Sequence, residues 1–152
     1  MTVAGCIIMK WGWYAMPKIS TRVTFDKAAV TAKIKAANNT ALSVMGSQIL
    51  EDSNKYCPED QHGLVNSSYI HSDREAKDGL FRCIWSTPYA RYLWHGLVMY
   101  GSPGNRSYGP KTLKFTKTNA HPKWAIYARS RHGDEWKQVF QAAARRYMRG
   151  TD

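Results

Sequence analysis

The chain has 152 residues, 43% of them hydrophobic, and its six Trp, nine Tyr and four Phe can fill one core and leave anchors for a partner. Lys and Arg number 22 against 11 Asp and Glu, a net charge of +11, which directs attention to acidic partners. No apolar run nears the roughly 20 residues that cross a bilayer, residues 3–9 make a poor signal peptide, and three scattered cysteines argue against a secreted disulfide scaffold and suit a reducing cytoplasm.

Residues 1–15 differ in character from the rest of the chain, and Met16-Pro17-Lys18 reads as the start of the domain proper. The sequence predicts that 1–15 form a poorly ordered extension unless Trp11, Trp13 and Tyr14 find a groove. From Asp26 to about Tyr56 the pattern is helical. Asp26 can cap the first turn, Val30, Ile34, Ala37, Ala41, Val44, Gln48 and Ile49 recur at three- and four-residue steps, Gly46 is a weak point, and Pro58 ends the run. Residues 63–72 and 80–86 read as two strands, with the polar residues 73–79 as their hairpin connection. Thr87-Pro88 stops the second, and residues 89–95 form a helical turn released by Gly96. Residues 97–120 carry Gly101, Pro103, Gly104, Gly109 and Pro110 and read as a long flexible loop, interrupted by a short strand at 112–116. His121-Pro122 opens a helix that ends near Gly133. Asp134 then caps a last helix with Trp136, Val139, Phe140, Ala143 and Tyr147 on one stripe. The expected fold is α+β: a single domain, residues 16–152, in which the long first helix packs on a small antiparallel sheet and two C-terminal helices close the core.

The charge is unevenly placed. Between Gly79 and Arg131 stand nine basic residues (Arg82, Arg91, Arg106, Lys111, Lys114, Lys117, Lys123, Arg129, Arg131), ten of the aromatics and no acid. Such a segment can bind nucleic acid through phosphate contacts and stacking. It can equally be a solvated face, or an interface to an acidic neighbour.

Signals for catalysis are weak. The chain has no phosphate loop with a Lys, no His-Glu-x-x-His and no Gly-x-Ser-x-Gly. The acids fall in adjacent pairs (Glu51-Asp52, Glu59-Asp60, Asp134-Glu135), where capping and helix-dipole effects account for them. Cys57 with His62, or Cys83 with His95, could be a nucleophile and base, but nothing orients either pair, and buried structural cysteines are the expectation. His62, His71, His95, His121 and His132 are scattered, so neither a metal nor a cofactor is expected.

Two short constellations are sharper. Cys57-Pro58-Glu59-Asp60-Gln61-His62-Gly63-Leu64-Val65-Asn66-Ser67 joins a helix stop to a turn, and Tyr89-Ala90-Arg91-Tyr92-Leu93-Trp94-His95-Gly96 is an aromatic turn ended by glycine. In this order they resemble the tailed-phage minor capsid, head–tail joining and tail-completion family. The matching positions are Pro58, Gly63, Leu64 and Ser67, then Tyr89, Ala90 and Gly96, then Trp124, Ala128 and Trp136. The chain departs from the family pattern at His62, where Thr is usual, and at Trp94-His95, where many relatives carry an acid before the glycine. The resemblance implies a non-enzymatic virion protein of the phage neck, assembled in the bacterial cytoplasm. It would form a homo-oligomeric ring with other neck and tail proteins around a DNA channel, with no membrane role. On that view Trp94, Tyr100 and Tyr108 are the interface aromatics. Arg106, Lys111, Lys114 and Lys117 face the channel or a partner, and the 97–120 loop orders on assembly. The alternative is a basic nucleic-acid-binding module using residues 79–131; a small hydrolase is the least supported class.

Overall fold

A computed structural model of the chain describes residues 24, 26–59, 62–102 and 104–150; the expected extension at 1–15 lies outside the described residues. The class is α+β, as expected. The chain builds α1 (Lys27–Tyr56), α2 (Gly63–His71), α3 (Ala90–His95), β1 (Leu97–Tyr100), β2 (Ser107–Thr112) and α4 (Trp124–Arg149). A two-stranded antiparallel sheet is thus combined with a long first helix and a long last one.

The first helix forms where its pattern predicted. Asp26 caps it, its carboxylate accepting from the Ala28 and Ala29 amides at 2.9 and 3.1 Å. The 30 residues of α1 make a rod of about 45 Å, and α4 runs antiparallel along it. Tyr56 meets Tyr127 near one end, and Trp136 meets Asp52 further along. The small sheet and α3 sit where α1 ends and α4 begins: the His121 amide donates to Tyr56 O, and the Lys123 amide to Trp94 O.

Four expectations are corrected. Residues 63–72 are helical, not a strand: Leu64, Ser67 and Ser68 are buried at helical spacing. Two of those three are serines, whose hydroxyls donate back to Leu64 O and Val65 O, so the buried face carried no apolar signal. Residues 80–86 do not form the expected strand: their burial alternates as in an extended chain, but their backbone pairings among the described residues are confined to an isolated Lys77–Leu80 bridge and the Asp73 amide on Arg82 O, and with no strand at 63–72 there is no hairpin sheet. Side chains supply the missing ladder instead: Asp73, Ser72 and Ser67 accept from the amides of Arg82, Ile84 and Ser86. The strand placed at 112–116 lies earlier, at Ser107–Thr112, and pairs with β1. The two expected C-terminal helices are one, α4, which runs through Gly133; Asp134 caps nothing and pairs with Lys137 at 2.8 Å.

Gly46 is less a weak point than a fitting surface. A Cβ there would stand 2.3 Å from the Phe81 ring, so the absent side chain is what lets the extended segment lie against α1. The core proper gathers Cys57, Leu64 and Trp124, with Trp85, Leu93 and Trp94 packed around them. Trp124 is 1% exposed and takes Trp94 and Trp85 edge-on, with ring centroids 4.9 and 5.8 Å away.

Candidate functional site

The residues that carry the family resemblance come together. Leu64, Ser67, Trp124, Ala128 and Trp136 are buried, as is Pro58. The Ser67 hydroxyl donates to Leu64 O at 2.7 Å and accepts the Ser86 amide at 3.1 Å, tying α2 to the extended segment. Gly63 gives room to the Tyr89 hydroxyl, which a Cβ would meet at 2.9 Å. Gly96 takes a left-handed conformation (φ 67°) that ends α3, and its amide donates to Leu93 O. The Trp136 indole donates to Asp52 Oδ2 at 2.8 Å. Pro58, Gly63, Leu64 and Tyr89, with Leu113 and Phe115, line an open cleft of about 450 Å³ beside the core. The motif therefore specifies a packed junction of α1, α2, α3 and α4.

Polar groups in that junction are held tightly. Asn54 is 6% exposed; its amide nitrogen donates to Ser68 Oγ and its amide oxygen accepts from the Trp85 indole, both at 2.9 Å. Burial pushes the Asp52 carboxyl up, but hydrogen bonds from Lys55, Trp136 and Gln48 outweigh it and hold the group below its ordinary value. Glu59 behaves alike: burial raises it, and the hydrogen bonds from Lys117 and His62 outweigh that and hold it below its ordinary value.

The three aromatics expected at an interface, Trp94, Tyr100 and Tyr108, do not form one patch. Trp94 points inward onto Trp124. Tyr100 pairs with Ser107 and lies over Gly109, where a Cβ would sit 1.8 Å from its ring. Tyr108 pairs with Met99 and so projects from the opposite face of the hairpin, against Tyr92 and His95 of α3 (centroids 5.1 and 5.0 Å).

The structure also sorts the cations. Lys117 is drawn inward, its ammonium donating to Asn54 O and to Glu59 Oε2, both at 3.2 Å. Arg82 is clamped by Asp73. Arg106, Lys111 and Lys114 are exposed on or beside the hairpin, with no carboxylate partner among the described residues; the Arg106 guanidinium donates to the Met99 sulfur at 3.2 Å. Arg91, one of the nine basic residues of the acid-free segment, stands over the Tyr108 ring at 5.4 Å, and the sequence did not single out its pairing there with His95. Their four-residue spacing on a short helix was the signal that could have found them.

Neither Cys57 nor Cys83 is set up as a nucleophile. Burial pushes the Cys57 thiol up to about 12 and the Cys83 thiol up to about 11, the reverse of what a nucleophile needs. His62 pairs with Glu59 rather than with Cys57. Among the described residues no three His, Cys, Asp or Glu side chains gather as a metal site, and no helix is long and apolar enough to cross a membrane.

No curated protein and no solved structure matches the chain. A family profile described as "Minor capsid protein" matches residues 19–144, which span every described secondary-structure element except the last turn of α4. With that match on top of the motif residues that build its core, the chain belongs to the phage minor capsid protein family and is a structural component of the virion.

Proposed function

We propose that this protein joins the DNA-filled capsid to the tail, as one subunit of a ring in the phage neck. The observation that carries the reading is a division of labour within the chain. The family residues are spent on an internal junction, while the hairpin inside 97–120 leaves Tyr100, Arg106, Lys111 and Lys114 exposed. An exposed aromatic and basic hairpin on a rigid helical pair suits contact with a neighbouring subunit, since interfaces draw binding energy from Tyr, Trp and Arg. A head-to-tail repeat of one such contact closes into a ring if its rotation closes. In that ring the hairpin settles against its neighbours, other neck and tail proteins stack above and below, and DNA passes through the lumen.

Electron microscopy of particles made without the protein tests this. Loose filled heads beside complete tails are expected; joined, intact virions would end the proposal. The second reading, a free-standing nucleic-acid-binding module, draws on the acid-free segment 79–131. It predicts tight duplex binding by the monomer, with affinity falling steeply in salt.

A further inference from the structure

We infer that Arg91 and His95, packed on the Tyr108 ring, and Arg106, on the same face of the hairpin, form a patch that binds the phosphate backbone of duplex DNA. The inference rests on the neck reading for the source of its ligand, the DNA in the lumen, and on geometry for the rest. Arg91 lies over the Tyr108 face at 5.4 Å and the His95 ring meets the same ring edge-on at 5.0 Å. Arg106 reaches Met99, the cross-strand partner of Tyr108, so it shares this face of the hairpin. All four side chains are exposed, and none has a carboxylate partner among the described residues. A guanidinium stacked on an aromatic ring keeps its N–H edge directed outward and loses little further freedom on binding, which suits bidentate contact with phosphate. Lys111 and Lys114 follow in the same segment, and no acid stands among residues 79–131, so the charged side chains that the hairpin itself contributes are all basic. Such a surface fits a uniform polyanion better than a protein face of mixed charge.

The test measures binding of a labelled duplex of about 20 base pairs, long enough to span several phosphates on each strand, to the full chain, from low to physiological salt. Arg91→Glu with Arg106→Glu is compared with a charge-matched control, Arg145→Glu with Arg146→Glu, at the far end of α4. The patch variant should bind at least about tenfold more weakly at low salt, and its salt slope should shrink by about 2, near 0.9 for each phosphate no longer neutralised. Arg91→Lys, which keeps the charge and removes the fork, should fall between. Equal weakening in patch and control variants, or no duplex binding at low salt, would overturn the inference. So would binding of poly-glutamate in preference to DNA, which would point to an acidic protein neighbour. Those results leave the neck reading standing, because it is scored separately by whether particles lacking the protein are joined.

Discussion

At the scale of single residues, two contacts hold the molecule's geometry, and neither involves a large apolar side chain alone. Gly46 receives the Phe81 ring where a Cβ would stand 2.3 Å away. Gly46→Ala should therefore destabilise the fold by about 1–3 kcal/mol despite the better helix propensity of Ala. Phe81→Leu should relieve part of that cost, a coupling that urea denaturation of the double mutant would measure. Asp52 is buried and accepts the Trp136 indole at 2.8 Å. Its carboxyl is held below its ordinary value, so the unfolded chain takes the proton first as pH falls. The stability it contributes is complete above about pH 4, the unfolded value, and is lost as pH falls through the folded value. Asp52→Asn should flatten that acid limb of a Tm-against-pH curve. Asp52→Leu, which strands the indole N–H, should cost about 1–3 kcal/mol at neutral pH; an unchanged melting curve would remove the bond from the account.

At the scale of elements, the segment 80–86 is the instructive one. Its even-numbered amides, Arg82, Ile84 and Ser86, donate to Asp73, Ser72 and Ser67. A strand's backbone groups alternate between its two edges, so the amides of Phe81, Cys83 and Trp85 face the other edge, where no backbone partner exists among the described residues. Hydrogen exchange should therefore alternate along this segment, with Arg82, Ile84 and Ser86 slower than Cys83 and Trp85. Uniform protection would show that the second edge is also paired. The two described thiols belong to this scale as well, because the packing of these elements buries Cys57 and half-buries Cys83. Cys57 and Cys83 should resist a thiol reagent at about pH 8 in the folded protein and react on unfolding, given values pushed up to about 12 and 11.

For the whole molecule, an antiparallel pair of long helices carries a small hairpin at one end, where Arg91, Arg106, Lys111 and Lys114 are exposed. The four basic residues expected to face a channel or partner are not equivalent in this frame. Lys117→Glu would set two carboxylates together and leave the Asn54 carbonyl with the Cys57 amide alone, so it should lower Tm by several degrees. Arg106→Glu, Lys111→Glu and Lys114→Glu, made together, should leave stability within about 0.5 kcal/mol per site. In the phage, that triple variant should impair DNA retention or ejection without unfolding the subunit; normal particles would sink the lumen assignment for these side chains.

The sequence alone determined the long first helix with its Asp26 cap, the aromatic turn ended by Gly96, the α+β class, the acid-free basic segment and the family. These depend on local spacing, on capping chemistry and on composition, all of which survive without a fold. The tertiary structure alone decided that residues 63–71 are helical, since their buried face is built largely of serines whose oxygens find donors only once Asn54 and Ser86 arrive. It decided that Gly46 is a contact rather than a flaw, because the reason is a ring 35 positions away in sequence. It also separated Tyr100 from Tyr108 across the two faces of the hairpin, and drew Trp94 and Lys117 inward while leaving Arg91 and Arg106 outside. Which cation is free to meet a partner depends on which carboxylate lies beside it, and that is a property of three-dimensional neighbours rather than of chain order.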